Sequence, residues 1–382
     1  MENQKICIIG GGITGLITAI TLSKLNCVID LIISDPNEHL KSKRSIAISE
    51  DNFNFLNKLS ISKNLKKEIW PCSIMKLYTE NKKNNFIKVF ELNNEKKSQK
   101  ILYMFQNSKL INLLKKKVKK TKCISVKNYE KVLSISKNGL LKNVKFNNSI
   151  SKYNLVIICT GPNSTLVKNI FKNQFIENPY NEIGITTCLN HSSLKNNTVR
   201  QIFLDKEILA LLPISNTKTS IVWSIKKDIK KNDNIQIKKK IKFYAKNYLK
   251  NITLDKKIEY QNLNFLIRKK KHSDRVLLFG DALHVIHPFI GQGFNMTLRD
   301  LFCLQKILKK KINLGLDIGS SDILSEFINE ISPRNFVFAA GSDLLKNSIS
   351  SKKIRKNFLR ILNKSNFIKD IIFSVADKGF RF

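Results

Sequence analysis

Residues 280–300, GDALHVIHPFIGQGFNMTLRD, decide the fold, and they follow the apolar run 276–279, which is typical of a buried strand. Asp281 is therefore expected at the end of a strand. A loop with two glycines follows, and apolar residues at helical spacing begin at Phe294. The predicted order is strand, carboxylate, glycine loop and helix. The N-terminus of a helix carries unpaired N–H groups and a partial charge of about +0.5, which suits a bound group with negative charge.

A second glycine loop lies near the start of the chain. The apolar run 5–9 predicts a buried parallel strand, and it leads directly into GGGITG at residues 10–15 and a helical pattern. In this G-x-G-x-x-G pattern, Gly10 permits a tight turn, Gly12 lets the backbone approach a pyrophosphate, and Gly15 lets the helix pack closely. The strand–loop–helix context predicts binding of FAD or NAD.

The same motif requires an acidic residue about 20 positions further on, for the ribose hydroxyls. The second predicted strand, residues 28–33, is followed by Ser34 and Asp35. Asp35 has the chemistry for this contact. The alternative is that Asp35 is a surface turn residue beside Pro36.

Taken together, the GD…HP…GQG…N…RD signature resembles that of the FAD-dependent aromatic hydroxylases of ubiquinone biosynthesis. These are class A flavoprotein monooxygenases with the para-hydroxybenzoate-hydroxylase-like fold. The alternative is a strand–loop–helix whose glycines serve only the turn. The segment KSKRSIAIS, residues 41–49, is similar to the family's R-S-I-A-L-S segment. The resemblance spans essentially the whole chain.

The resemblance implies a set of cofactor-binding residues. Arg44 would lie near the ribityl and phosphate groups of FAD, a role that suits a permanently charged guanidinium; the alternative is a solvated cation. His287 and Pro288 would shape the glycine loop. No protein residue is expected to be catalytic, because the flavin carries the chemistry. The remaining implied contacts are Gly10, Gly12 and Gly15 to the ADP pyrophosphate, Asp281 to the ribityl chain, and Gly291, Gln292, Gly293 and Asn295 to the pyrimidine edge of the isoalloxazine.

Three positions depart from the family's pattern. Thr160 stands where the family has Asp in an Asp-Gly-x-x-Ser turn, Ser108 stands where it usually has Arg, and Thr297 stands where it often has Gly. The first departure bears on the nicotinamide donor, the second on one FAD contact, and the third on how closely the helix approaches the flavin.

The predicted fold is α/β, with a Rossmann-like FAD-binding domain interleaved with an antiparallel-sheet substrate domain, and with C-terminal helices. The patterns of the substrate sheet make Phe203, Leu211, Ile221 and Trp223 either pocket-lining or ordinary core residues. The C-terminal region reads as helices that either pack on the FAD domain or lie on a membrane surface. The predicted boundaries are 1–70, 103–178 and 262–320 for the FAD-binding domain, 71–102 and 179–261 for the substrate domain, and 321–382 for the helical region.

The resemblance implies a reaction as well as a fold. NADH or NADPH reduces the FAD, and O2 supplies the oxygen atom that is transferred to the aromatic ring of a polyprenylated phenol. Two alternatives remain open: a flavoprotein reductase of the same fold, or a non-catalytic subunit of a quinone-biosynthesis complex. Thr160 and Ser108 favour the second alternative, whereas Asp281 and the intact GQG argue against it.

The chain of 382 residues has a net charge of +39, from 68 basic and 29 acidic residues. Such a charge is compatible with an anionic membrane surface. The lysines are spread along the chain, however, and Asn and Ile are also abundant, so a compositional bias explains the charge equally well. No basic motif interleaved with aromatic residues occurs, so nucleic acid is not an expected partner.

The seven cysteines are scattered and form no C-x-x-C pair. They are expected to be reduced and mostly buried, in a cytoplasmic protein. No metal site is expected, because His284 and His287 have no third ligand nearby in the sequence. No secretory signal and no membrane-spanning segment are expected. The predicted location is cytoplasmic, with peripheral attachment to the inner face of the membrane as an extension.

Overall fold

The computed structural model describes twelve segments of the chain. The described residues are 4–37, 42–61, 68–80, 85–95, 99–147, 149–172, 174–205, 207–227, 234–287, 291–350, 374 and 377–379.

The described segments contain 21 strands and seven α-helices. Single 3-10 turns follow α1 and β20, at Ser23–Leu25 and Gly280–Ala282. The strands are β1 (Lys5–Ile9), β2 (Val28–Ile33), β3 (Ser45–Ser49), β4 (Trp70–Cys72), β5 (Ile74–Glu80), β6 (Phe86–Asn93), β7 (Leu102–Gln106), β8 (Ile124–Asn128), β9 (Ser134–Asn138), β10 (Leu141–Lys145), β11 (Ile150–Tyr153), β12 (Leu155–Ile158), β13 (Phe175–Asn190), β14 (Thr198–Phe203), β15 (Ile208–Pro213), β16 (Lys218–Lys226), β17 (Thr253–Leu254), β18 (Glu259–Arg268), β19 (His272–Ser273), β20 (Val276–Leu278) and β21 (His284–Val285). The helices are α1 (Ile13–Leu22), α2 (Glu50–Lys58), α3 (Asn107–Lys119), α4 (Thr165–Phe171), α5 (Asn234–Ala245), α6 (Gly293–Asn313) and α7 (Ser321–Ser350).

A six-stranded sheet in the order β19-β20-β12-β1-β2-β8 forms the first layer. Its pairs are parallel except for β19 with β20. The strands β1, β2, β12 and β20 are almost continuously apolar and buried, as expected for a parallel sheet whose two faces are both covered. The carboxyl ends of β1, β12 and β20 meet at one edge. This is the predicted Rossmann-like arrangement.

A nine-stranded sheet forms the second layer, with β21-β18-β13-β16-β15-β14-β5-β6 in order and β17 paired to β13. It is antiparallel except for β5 and β14, which pair in parallel. Strand β13 has 16 residues and a register shift between Pro179 and Glu182. The predicted boundary at 178 falls at this irregularity, and the domain limits stay a prediction.

The two faces of the nine-stranded sheet have different neighbours. Leu211, Ile221 and Trp223 pack with Ile237 and Ile241 of α5 in a buried apolar cluster. They are therefore ordinary core residues rather than pocket-lining residues. Strand alternation points Ser220 to the opposite face, where its hydroxyl accepts a hydrogen bond of 2.8 Å from Ser45 of β3. At this strand, the face opposite α5 is thus the more polar one.

The C-terminal region begins with the long helix α7, which packs against the FAD-binding core. Phe327 and Ile331 belong to the large core cluster around the parallel sheet, while Phe336 is exposed. The described part of this region therefore packs as the first alternative predicted. The side chains after Gly341, and the backbone from 351 on apart from residues 374 and 377–379, lie outside the described residues. None of the described helices is long and apolar enough to cross a membrane.

Candidate active site

The loop at residues 10–15 has a backbone that only glycine accommodates. Gly10 has φ of +130°, and a Cβ there would lie 2.7 Å from the carbonyl oxygen of Cys159. A Cβ at Gly15 would lie 1.9 Å from the carbonyl oxygen of Gly10. Gly12 is the N-cap of α1, and the first turn of this helix contains no acidic residue. The positive end of α1 is therefore left clear for an anion.

Three strand ends converge on this loop. After β1 comes Gly10, after β12 comes Thr160 with Cys159 before it, and after β20 comes Asp281. Gly280 has φ of +62°, and a Cβ there would lie 2.6 Å from Cγ2 of Thr14 in the first turn of α1. The carboxylate loop and the glycine loop are thus in direct contact, although they lie near opposite ends of the matched sequence.

Asp281 lies in a cleft. Its side chain is exposed to solvent, yet the surrounding protein raises the pKa of its carboxyl group through desolvation. The charges of His284 and Arg44 oppose this shift, so Arg44 lies close enough to Asp281 to act on it electrostatically. The Arg44 side chain is exposed, and its carbonyl oxygen accepts a 2.8 Å hydrogen bond from the N–H of Asn107 at the start of α3.

The second predicted binding segment begins α6. Gln292 is buried, and among the described residues its Oε1 has no hydrogen-bond partner. Gly291 has φ of +64°. A Cβ added at Gly291 would lie 3.4 Å from Cβ of Ala47. An added Cβ at Gly293 would meet only Ile286, at 3.9 Å. A buried acceptor without a partner, beside an open helix start, suits a ligand with N–H donors and carbonyl oxygens.

Asn295 is bonded entirely within the protein. Its Oδ1 accepts hydrogen bonds from the N–H of Ser49, at 2.9 Å, and from Nδ2 of Asn52, at 3.1 Å. Its Nδ2 donates to the carbonyl oxygens of Ala47, at 2.9 Å, and Gly291, at 3.3 Å. The side chain therefore ties α6 to β3 and α2, and only its backbone is available to a ligand.

His287 connects the glycine loop to the nine-stranded sheet. It is buried, its Nε2 lies 3.0 Å from Oε2 of Glu182, and its ring stands edge-on to Tyr180 with centroids 4.9 Å apart. Pro288 lies outside the described residues. His284 is bonded instead to Asp300, with 3.0 Å between Nε2 and Oδ2. The described residues contain no group of three His, Cys, Asp or Glu side chains that could hold a metal ion.

Asp35 and the three departures from the family pattern have distinct surroundings. Asp35 is exposed and accepts a 2.8 Å hydrogen bond from the N–H of Asn37 in the turn after β2. Within the described chain, the buried Oγ1 of Thr160 has no hydrogen-bond partner. Thr297 donates to the carbonyl oxygen of Gly293, at 3.3 Å, inside α6. Ser108 lies in the first turn of α3.

Arg268 was not predicted as part of the site. It is almost fully buried and stands over the ring of Phe175, 4.8 Å from its centroid. Its Nη2 donates to the carbonyl oxygen of Pro162, at 2.8 Å, and its Nε to that of Ala282, at 3.3 Å. Arg268 thus joins the Thr160 loop to the Asp281 loop. The sequence gives no signal for this, because Arg268 begins a run of four basic residues, Arg-Lys-Lys-Lys.

These features define a class: a dinucleotide-binding protein in which a second sheet covers a cleft between two open helix N-termini. Residues 3–317 match the family described as FAD binding domain, and the chain belongs to that family. The glycine loop, Asp281 and the Gln292 side chain, whose Oε1 has no partner among the described residues, fit FAD by their donors and acceptors.

Relatives of known name share parts of the chain. It is 27% identical over 267 residues to the mitochondrial ubiquinone biosynthesis monooxygenase COQ6 of Xenopus tropicalis. This match covers 59% of the present chain and 57% of that protein. It is 27% identical over 173 residues to the ubiquinone hydroxylase UbiL of Rhodospirillum rubrum, covering 44% and 40%. The matched parts thus span less than two thirds of these relatives.

Solved structures share the fold over nearly the whole length. The p-nitrophenol 4-monooxygenase PnpA of Pseudomonas putida DLL-E4 superimposes with a TM-score of 0.81 and 16% identity, covering 100% of both chains. A single-substitution variant of HpxO from Klebsiella pneumoniae, solved with FAD, gives 0.76 and 14% identity over 98% of this chain and 99% of that one. The predicted fold class is confirmed.

Proposed function

We propose that this protein is an FAD- and NAD(P)H-dependent monooxygenase that hydroxylates the aromatic ring of a polyprenylated phenol in ubiquinone biosynthesis. The observation that carries the proposal is the meeting of the Gly10–Gly15 loop and the Asp281 loop at one sheet edge, in a chain whose relatives are ubiquinone biosynthesis monooxygenases. The predicted domain limits are part of the same proposal.

Each part of the chain has a role in this proposal. The pyrophosphate is held by the loop with Gly10 and Gly12 and by the N–H groups in the first turn of α1, which contains Gly15. Asp35 contacts the ribose, Asp281 accepts hydrogen bonds from the ribityl hydroxyls, and Arg44 neutralises phosphate charge. The bound FAD supplies the transfer of electrons from NADH or NADPH to O2.

At the other end of the cofactor, Gly291, Gln292 and Gly293 lie beside the pyrimidine edge, together with the backbone of Asn295. The open start of α6 stabilises negative charge there, and its N–H groups need no reorganisation to do so. His287 shapes this loop, and the bond between His287 and Glu182 anchors it to the substrate sheet. The protein thus binds, orients and excludes water, with no catalytic side chain required.

The proposed substrate is based on the relatives' names, and the proposed location is based on the charge. A polyprenylated phenol partitions into a bilayer, so a cytoplasmic enzyme with a charge of +39 attached to the inner, anionic membrane face fits this substrate. Other quinone-biosynthesis proteins are the expected neighbours there.

The visible absorption spectrum of the purified protein, followed by anaerobic titration with NADH and NADPH, tests the proposal. Flavin bands near one per chain, bleached by a nicotinamide, and O2 uptake coupled to a hydroxylated phenol are expected. A protein that binds no added FAD would sink the hydroxylase and favour the non-catalytic subunit. Reduced flavin that saturates a prenyl double bond without O2 uptake would instead identify a reductase.

The variant Thr160→Asp restores the residue that the family pattern has at this turn, and it is the matched test for the nicotinamide reaction. If Thr160 slows reduction of the flavin, the flavin of Thr160→Asp is reduced faster than that of the natural protein at the same flavin content. Thr217→Asp, the same change at an exposed turn of the substrate sheet, serves as the control and leaves the reduction rate nearly unchanged.

A further inference from the structure

Helix α5 has an outward face that nothing in the described structure covers. Its inner face, with Ile237, Ile241 and Ala245, packs on the substrate sheet. On the opposite side Ile235 is 71% exposed and Phe243 is 44% exposed. Two large apolar side chains therefore stand on the outward face of one helix.

The exposed apolar residues share a stripe with lysines. At about 100° per residue, Ile235, Lys239, Lys242, Phe243 and Lys246 fall within about 100° of arc on a helix of 3.6 residues per turn. The three lysines are exposed, and Lys246 lies over the Phe243 ring, 4.6 Å from its centroid. No acidic residue occurs from 234 to 250, and within the described segments none of the three lysines forms an ion pair.

Helix α3 shows that lysine content alone does not produce this stripe. It is equally rich in lysine, with Lys116, Lys119 and the following Lys120 exposed, and it also lacks acidic residues. Yet its apolar residues all face inward, and none of its large apolar side chains is exposed. The two helices thus share their lysine content, and α5 differs from α3 in combining the lysines with exposed large apolar side chains.

We propose that the Ile235–Lys246 stripe of α5 docks onto the surface of an anionic phospholipid bilayer. Ile235 and Phe243 are about 12 Å apart along the axis, at about 1.5 Å per residue, so both reach the acyl boundary when the helix lies flat. The lysines between them extend to the lipid phosphates. The inference rests on the proposed function only in that the substrate resides in a bilayer.

Sedimentation with vesicles tests the stripe, using phosphatidylcholine alone or mixed with phosphatidylglycerol. A lysine near an anionic surface contributes about fivefold to partitioning, from about 1 kcal/mol per residue. Lys239→Gln/Lys242→Gln/Lys246→Gln and Ile235→Ser/Phe243→Ser should each lower partitioning into the anionic vesicles by at least about tenfold. Lys116→Gln/Lys119→Gln/Lys120→Gln in α3, with the same charge change, should lower it by less than about threefold.

Equal losses from the two lysine triples would overturn the proposal, because the binding would then reflect net charge. Binding to heparin that needs the α5 lysines but not Ile235 and Phe243 would assign a polyanionic partner and also overturn it. As an independent measurement, Phe243→Trp should be quenched by brominated acyl chains. Unquenched fluorescence on bound vesicles would place this residue off the membrane.

Flavin content and NAD(P)H oxidation with a short-chain, water-soluble phenol separate this inference from the proposed function. The α5 variants should keep both, because α5 packs on the substrate sheet through Ile237, Ile241 and Ala245, and the substituted side chains point away from that contact. Vesicle binding that persists in a protein without flavin would leave the docking surface standing while the hydroxylase fails. The reverse result would remove only the docking surface.

Discussion

At the scale of single residues, the site depends on close backbone contacts and on one carboxylate in a cleft. Gly15 and Gly10 touch so closely that a single methyl group would separate them. Asp281 carries an unfavourable desolvation in the protein without cofactor. The first feature makes the loop intolerant of substitution, and the second lowers the stability of the fold. Both leave a space that a ligand can fill.

Gly15→Ala should destabilise the protein and abolish flavin binding. The added Cβ would lie 1.9 Å from the Gly10 carbonyl oxygen, so the loop must move, at a cost of at least about 3 kcal/mol. Urea unfolding and the flavin absorbance of the purified protein measure the two effects. Gly341→Ala in α7 is the matched control, because an added Cβ there meets no described atom within 4 Å. This variant should be neutral or stabilising by up to about 1 kcal/mol. Indistinguishable variants would contradict this account of the loop.

Asp281→Asn should weaken FAD binding about tenfold to a hundredfold, because a hydrogen bond to a charged group is lost. In the protein without FAD, the same substitution should instead raise the stability of the fold. A raised pKa means that the carboxyl group favours folding fully below its unfolded value, near pH 4, and loses this contribution as pH rises through its folded value. The variant should therefore melt higher than the natural protein at pH 7, with the difference shrinking toward pH 4.

Thermal unfolding from pH 4 to pH 8 measures this difference. Asp35→Asn is the control, because Asp35 is exposed in a turn and its amide analogue keeps the Oδ1 acceptor for Asn37. A melting difference for Asp281→Asn that grows as the pH falls would refute the assigned sign.

At the scale of elements, local signals were sufficient for much of the structure. The patterns at residues 5–15 and 276–300 predicted the two strand–loop–helix units, because strand, glycine turn and helix face are all encoded within a few residues. The start of α6 at Gly293 lies next to Phe294, where the helical spacing was predicted to begin. These are properties of short segments, which sequence periodicity captures.

Features that depend on distant parts of the chain were not predictable. Alternation gave Leu211, Ile221 and Trp223 one shared face, but not which face meets the cofactor. Likewise, the bonds from Asn295 to β3 and α2 join residues about 250 positions apart, and those of Arg268 link two separate loops. A single sequence carries no signal for such pairs, because their spacing is set by the assembled fold.

Asn295→Ala should loosen α6 from β3 and α2. It leaves the N–H of Ser49 and the carbonyl oxygen of Ala47 buried without partners, which should cost about 3 kcal/mol. Urea unfolding followed by far-UV circular dichroism provides the measurement. Asn313→Ala, at the exposed end of the same helix, should change stability by less than about 0.5 kcal/mol. If both variants unfolded at the same urea concentration, Asn295 would not be the tie described.

At the scale of the whole molecule, charge is the dominant collective property. The net charge of +39 acts over distances that no single ion pair offsets, and it disfavours the compact state through self-repulsion. The described ion pairs are mostly at the surface, where each contributes little.

The melting temperature should therefore rise with ionic strength. The screening length falls from about 30 Å at 0.01 M salt to about 10 Å at 0.1 M, so added salt weakens the repulsion. Thermal unfolding at about 10, 100 and 300 mM sodium chloride should show a progressive rise, with most of it below about 100 mM. Sodium acetate at equal ionic strength controls for effects of the chloride ion. A melting temperature that falls with both salts would show that attractive pairs outweigh the repulsion.

The parallel pairing of β5 with β14 has a consequence for the order of events during synthesis. The hairpin of β5 and β6 emerges early, but the strand that completes its other edge is made only after the whole middle of the parallel sheet. Until then β5 has a free row of N–H and C=O groups, which other chains can pair with. Folding of the second layer is therefore bound to be late and slow, and the nascent chain needs protection from its neighbours throughout that interval.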